Sequence, residues 1–126
     1  MSDRTHPDWI TPAPSDLYHR LFDLREQIGE LRREMTRIRI DYGRLHRKPE
    51  DLAVDDLGDP IDPVHATEQV MHALQRADEH LSCADIRLND TRGRYATRLK
   101  LTDAAAEARW QQIQQRDHRD PIERTR

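Results

Sequence analysis

Histidine is the residue type in this chain best suited to bind a metal or transfer protons, and seven are present. His65, Glu68 and His72 fall at i, i+3 and i+7, which places them on one side of a helix. A metal site needs several ligands that converge with fixed geometry. Because these three residues are spread over two turns of a polar helix face, the pattern favours a solvated surface over a metal site. We expect no metal and no cofactor.

Arg39 and His46 are a second pair with chemical potential, separated by six residues in the segment RIRIDYGRLH. This spacing resembles the arginine–six residues–histidine motif of the HEPN ribonucleases, a family of small all-helical domains. In that family the histidine acts as a base and the arginine stabilises the phosphate. The resemblance therefore implies an RNA-cleaving role for Arg39 and His46. It covers eight residues, and the polar residue that often follows the family's arginine is Ile40 here.

One local cluster is basic, and its members are Arg87, Arg92, Arg94, Arg98 and Lys100. A phosphate backbone could bind such a cluster, with strong salt dependence. Tyr95 is the one aromatic residue within it, so the sequence offers little for base stacking. A protein is therefore the first expected partner, and nucleic acid is the alternative. With Trp110 these residues form the predicted interaction surface.

The composition limits both the fold and the class of partner. Charged residues make up 36% of the chain, hydrophobic residues 35% and aromatic residues 5%, which suits a narrow seam between helices rather than a thick core. The net charge of −3 provides no general attraction to nucleic acid or to anionic membranes.

The cysteine count and the apolar runs bear on the compartment. Cys83 is the one cysteine, so no internal disulfide can form. No apolar run has the length of a signal peptide or a membrane span, and we expect a soluble cytoplasmic protein. The excess of arginine over lysine is typical of a GC-rich bacterial genome.

Two heptad seams predict the fold. In the first, apolar residues alternate at spacings of four and three: Leu17, Leu21, Leu24, Ile28, Leu31, Met35, Ile38, Tyr42 and Leu45. The second comprises Val70, Leu74, Ala77, Leu81, Ala84, Leu88 and Tyr95, with Thr91 in one slot. Because a long helix must bury such a stripe against another helix, the sequence predicts an all-α, antiparallel coiled-coil hairpin.

Prolines and capping residues predict the boundaries of the elements. We expect a disordered arm over 1–14, a helix over 15–47 that begins after a Ser15 cap, an acidic linker over 48–61, and a helix over 62–92 capped by Asp62. Residues 99–117 either continue the second helix or form a separate helix capped by Thr102 or Asp103, and we favour the separate helix. The hairpin domain then covers 15–117, and 118–126 form a disordered tail.

When the two seams are docked antiparallel, a single register places the seam residues of the first helix opposite those of the second along the whole seam. It places Arg32 beside Asp78, Arg25 beside Asp85, and Glu34 beside His80. The residues expected to form the core are Leu24, Ile28, Leu31, Met35, Ile38, Leu74 and Leu81. Leu31→Asp should then unfold the hairpin, because it buries an unpaired charge.

A parallel homodimer of the first helix is the competing arrangement, but it leaves the second helix without a partner. Several apolar residues fall outside the seams, namely Tyr18, Phe22, Ile40 and Met71. Either residues 99–113 or a second copy of the chain, in a four-helix arrangement, could cover them.

No catalytic constellation emerges from the sequence. The residues favour a non-enzymatic, coiled-coil interaction or scaffolding protein whose partner is another protein or a second copy in a homodimer. A nucleic-acid-associated accessory protein that uses residues 87–100 is the alternative. A HEPN-like ribonuclease is the third hypothesis.

Overall fold

The structure is a computed structural model that describes residues 9–119 of the 126-residue chain. The described residues form three α-helices, α1 (Pro14–His46), α2 (Pro63–Arg94) and α3 (Asp103–Arg119). Two short 3-10 helices, Pro49–Asp51 and Ala96–Arg98, follow α1 and α2. No strand occurs within this range, and α1 packs closely against α2. The predicted all-α hairpin with a C-terminal helix is confirmed.

Proline and capping residues define the ends of the helices, largely as predicted. α1 begins one residue earlier than expected, because Leu17 N–H donates to the carbonyl oxygen of Ala13 at 3.1 Å and Ser15 lies inside the first turn. Asp62 caps α2: its Oδ2 accepts the N–H of His65 at 3.2 Å, and Pro63 is the first helical residue.

Residues 103–119 form a separate helix rather than a continuation of α2. α2 ends at Arg94, a 3-10 helix follows, and α3 starts at Asp103. Of the two predicted caps, Thr102 is the one used, since its Oγ1 accepts the N–H of Ala105 at 3.2 Å. The predicted discontinuity is confirmed.

The chain divides into two compact units. We call residues Phe22–Asp90 the hairpin unit, and the described parts of Met1–Leu21 and Thr91–Arg126 the terminal unit. Residues 1–8 of the predicted arm and residues 120–126 of the predicted tail lie outside the described residues. The proposed domain boundaries stay a prediction.

In the terminal unit, the segment before α1 contacts α3. Thr11 N–H donates to Gln112 Oε1 at 2.8 Å, and Arg109 Nε donates to the carbonyl oxygen of Thr11 at 3.0 Å. Arg109 also pairs with Asp16 at 3.3 Å. Two of these contacts involve the backbone of Thr11 directly, so they tie this segment to α3.

In the hairpin unit, the contacting faces include charged residues. One set of half-buried positions on α1 recurs at spacings of three and four: Arg25, Ile28, Arg32, Met35, Arg39, Tyr42 and His46. Gly29, Ile38 and Gly43 beside them are half-buried as well. A set on α2 follows the same spacing: Val64, Met71, Leu74, Asp78, Leu81, Asp85 and Leu88, with Thr67 the one buried residue in the described range. Val70, Ala77 and Ala84 beside them are half-buried as well. The contact therefore alternates apolar and charged positions.

This arrangement corrects the predicted core. No described hydrophobic residue is fully buried, and Leu24 and Leu31 are 43% and 51% exposed. The face of α1 that meets α2 is rotated from the predicted seam toward the residues that follow these leucines. The physical reason is that Arg25 and Arg32 pair with carboxylates of α2, which draws their side of the helix into the contact.

Candidate functional site

Two interhelical ion pairs form one side of the hairpin unit. Arg25 contacts Asp85 through two nitrogens, with Nε–Oδ1 at 2.8 Å and Nη2–Oδ2 at 3.4 Å. Arg32 contacts Asp78 in the same way, at 2.8 and 3.4 Å. Both predicted pairs are confirmed, and they define the register of α1 against α2. The predicted Glu34–His80 neighbours are not paired: Glu34 instead forms an ion pair with Arg37, at 2.7 Å.

The ion pairs shift the titration of their carboxylates. The hydrogen bond from Arg32 holds the pKa of Asp78 below its usual value, and the positive charge of Arg32 lowers it further, while desolvation opposes the shift. The hydrogen bond from Arg25 lowers the pKa of Asp85 for the same reasons. The hydrogen bonds that Arg25 and Arg32 donate to Asp85 and Asp78 raise the pKa values of the two guanidinium groups. Both carboxylates therefore favour the charged, paired form.

The other side of the hairpin unit is apolar and open. On α1, the residues just before Arg25, Arg32, Arg39 and His46 point about 100° away from them, and they form a row of Leu24, Leu31, Ile38 and Leu45. On α2, the residues just before Met71, Asp78 and Asp85 form the matching row of Val70, Ala77 and Ala84. Because the helices run antiparallel, both rows lie on the same side. We call the two rows together the open face.

The large side chains of the open face retain substantial exposure. Leu24, Leu31 and Leu45 are 43%, 51% and 42% exposed, while Ile38 and the α2 row are half-buried. The heptad pattern identified these residues but predicted that they would be buried. The sequence signal that could have revealed the difference is the regular placement of arginine directly after Leu24 and Leu31.

A separate pocket of about 410 Å³ lies in the hairpin unit where α1 ends and α2 begins. Its lining residues are Arg39, His46, Glu68, Met71, His72 and Gln75. His46 Nε2 and Glu68 Oε1 are 3.1 Å apart. The structure thus brings the predicted pair Arg39 and His46 together, and it adds Glu68 and His72, which the sequence had placed in a different set.

The geometry of this pocket has a definite chemical meaning. When His46 Nε2–H donates to the Glu68 carboxylate, Nδ1 is the ring nitrogen that remains able to accept a proton. Arg39 supplies a positive charge in the same pocket. Among the described residues, no group of three or more His, Cys, Asp or Glu side chains could hold a metal ion.

The predicted basic surface is divided between the two units. Arg87 belongs to the hairpin unit, whereas Arg92, Arg94, Arg98 and Lys100 belong to the terminal unit. The Arg92 guanidinium lies 4.0 Å from the centroid of the Tyr18 ring, an attractive cation–π geometry. Arg92 is therefore engaged within its own unit. A nucleic-acid interface over residues 87–100 stays a prediction.

Two further predicted features are exposed. Trp110 of α3 is 56% exposed, and Cys83 of α2 is an exposed free thiol. Across residues 9–119, the structure contains no helix with the length and apolar character needed to cross a membrane.

Comparison of the chain with protein-family models, with curated proteins and with solved structures finds no match. The chemistry and geometry of the described residues are therefore the basis on which a function is proposed.

Proposed function

We propose that this is a non-enzymatic interaction protein whose helical hairpin presents its open face to a protein partner. The observation that carries the proposal is the row of large apolar side chains on α1 that α2 leaves 42–51% exposed, at Leu24, Leu31 and Leu45. Contiguous apolar surface on a protein marks interaction sites more often than isolated exposed residues do.

The spacing of the row suits a helical partner. Leu24, Leu31, Ile38 and Leu45 follow one another at intervals of seven residues, so they form a nearly straight stripe along α1. The smaller side chains of Val70, Ala77 and Ala84 leave room beside that stripe. An amphipathic helix that lies along this face would bury its own apolar stripe against both rows.

A capture experiment with a matched control tests this proposal. Leu24→Gln/Leu31→Gln changes the open face at positions already half exposed, so the hairpin should retain its helical circular dichroism. Ile40→Gln/Ile86→Gln is the control, because Ile40 and Ile86 are 52% and 64% exposed and lie off the open face. From a lysate of the source organism, we expect the control to capture the same partner as the wild type and the open-face variant to lose it. Equal capture by all three proteins would contradict the proposal.

The pocket at Arg39 and His46 supports a second candidate function, cleavage of an RNA phosphodiester. The supporting observation is the 3.1 Å contact between His46 Nε2 and Glu68 Oε1, which orients the imidazole in the pocket that Arg39 also lines. In this proposal His46 removes the proton of a ribose 2′-hydroxyl, and that oxygen attacks the adjacent phosphorus. The bond from phosphorus to the 5′-oxygen breaks, which leaves a 2′,3′-cyclic phosphate, and the 5′-oxygen takes up a proton from water. Arg39 stabilises the negative charge on the phosphate.

An RNA cleavage assay separates this candidate from the other hypotheses. If the pocket is catalytic, His46→Gln abolishes cleavage, whereas His80→Gln, an exposed histidine outside the pocket lining, does not. Salt-sensitive binding without cleavage would instead favour the nucleic-acid-associated accessory role. Neither binding nor cleavage is expected of the interaction protein.

A further inference from the structure

We propose that the partner of the open face is a second copy of this chain, related by a two-fold axis parallel to α1 and α2. The two hairpin units would then form a four-helix arrangement. This inference rests on the proposed function, because it names the occupant of the same face. Three properties of the open face support a second copy as the partner: the sizes of its side chains, the charges along its edges and its area.

The two rows of the open face differ in side-chain size. The α1 row is large, with Leu24, Leu31, Ile38 and Leu45, and the α2 row is small, with Val70, Ala77 and Ala84. An axis parallel to the helices places α1 of one copy opposite α2 of the other, so large residues meet small ones and the layers interdigitate. An axis perpendicular to the helices would place large against large and small against small.

The ion pairs specify which residues meet. Arg32–Asp78 and Arg25–Asp85 show which positions of α1 and α2 lie at the same height. A two-fold axis parallel to the helices leaves that height unchanged. Leu31 of one copy therefore lies, in height along the axis, between Ala77 and Ala84 of the other copy. The two-fold axis repeats this contact with the roles of the two copies exchanged.

The charges along the edges of the open face support the same axis. The exposed edge of α1 carries Glu34 and Asp41, and the exposed edge of α2 carries His80 and Arg87. In the register set by the ion pairs, the proposed axis brings Glu34 of each copy to within about 6 Å in height of His80 of the other, twice, whereas Asp41 and Arg87 lie at different heights. Glu34 and Asp41 also pair with Arg37 and Arg44 on α1, but such exposed pairs are weak and leave the carboxylates accessible.

The size of the face matches that of a stable interface. From Phe22 to His46, α1 is about 37 Å long at about 1.5 Å per residue. Two adjacent helices of about 10 Å diameter give a width of about 20 Å. The resulting area of roughly 700 Å² is close to the ~800 Å² per partner that stable complexes bury.

Site-directed crosslinking tests the proposed axis. All variants carry Cys83→Ser, which removes the natural exposed thiol. Leu31→Cys and Ala77→Cys are made on separate chains, mixed, and treated with a short bismaleimide. We expect the mixture to give at least fivefold more crosslinked dimer than Leu31→Cys alone. The matched control replaces Leu31→Cys by Arg33→Cys, which lies on an exposed position away from the open face and should give no such product.

Light scattering coupled to size exclusion, at high micromolar concentration, gives the mass of the wild type. A dimer with the mixed crosslink supports the proposal. A dimer in which Leu31→Cys crosslinks best to itself overturns it, because α1 then meets α1.

A monomeric mass also overturns self-association. The capture experiment then separates the two proposals. Loss of a different captured partner in Leu24→Gln/Leu31→Gln would retain the proposed function, whereas unchanged capture would refute that as well.

Discussion

At the scale of single residues, Leu31 illustrates what the heptad pattern could and could not predict. The pattern correctly places it on the apolar side of α1, yet the residue is 51% exposed. The following residue, Arg32, forms the interhelical contact with Asp78 instead. The expectation that Leu31→Asp unfolds the hairpin is therefore wrong in its premise, because the residue is not buried.

The structure predicts different effects for two leucines that the sequence treats alike. Leu31→Asp should retain the helical circular dichroism of a folded hairpin, because water can still reach the new carboxylate. Leu81→Asp places a charge on the contacting face of α2, where Leu81 is half-buried, and should lower the melting temperature much more. Thermal melts of the two variants at low protein concentration make the comparison. Equal melting temperatures would contradict the observed rotation of α1.

The carboxylates of Asp78 and Asp85 give the hairpin a defined response to acid. Their pKa values are lowered in the folded state, so their contribution to stability is complete above the ordinary aspartate pKa of about 4. It is lost as the pH falls through the lowered folded-state values. The wild type should therefore be more stable than Asp78→Asn/Asp85→Asn at pH 7, and this advantage should shrink below about pH 4.

Chemical denaturation of both proteins across this pH range measures that difference. A control variant, Asp23→Asn/Asp59→Asn, removes the same formal charge at exposed positions away from the ion pairs. A constant gap between the wild type and Asp78→Asn/Asp85→Asn down to acidic pH would show that the ion pairs do not cause the response.

At the scale of the elements, local signals predicted the boundaries of α1 and α2 to within two residues. Proline acts through its own backbone, and a capping side chain accepts an N–H only a few residues away. Pro49, Asp62 and Thr102 could therefore be interpreted without knowledge of the fold. The rotation of α1 against α2 depends on contacts between residues about 50 positions apart, and periodicity alone could not resolve it. For the same reason the sequence predicted Arg39 and His46 of the pocket as a pair but not Glu68 with them, because Glu68 contacts His46 from the other helix.

Gly43 of α1 offers a test of element stability. A Cβ atom added there would lie 3.9 Å from Met71 Sδ, an ordinary van der Waals contact. Glycine in a helix interior costs roughly 0.5–1 kcal/mol relative to alanine, and Gly43 lies in the last turn of α1, so Gly43→Ala should raise the free energy of unfolding by up to about that amount. Gly58→Ala, in the non-helical linker with no neighbour within 4 Å, is the control and should gain less. Destabilisation by Gly43→Ala in denaturant titrations would indicate a closer approach of α1 and α2.

At the scale of the whole molecule, the proposed dimer predicts that stability depends on concentration. A partner that binds only the folded chain stabilises it by mass action. The melting temperature of the wild type should therefore rise as the protein concentration increases. That of Leu24→Gln/Leu31→Gln should stay constant, and the control Ile40→Gln/Ile86→Gln should follow the wild type. Scanning calorimetry over a wide concentration range measures this, and a constant wild-type melting temperature would argue against self-association.

The near lack of fully buried side chains has a thermodynamic consequence. In the described residues only Thr67 is fully buried, so unfolding a single chain exposes comparatively little new apolar surface. The heat capacity of unfolding comes mainly from newly hydrated apolar area, and it should fall below the usual ~12–15 cal/mol/K per residue. A small heat capacity change flattens the curve of stability against temperature. The hairpin would then change little in stability between cold and warm conditions, and cold denaturation would lie far below the freezing point of water.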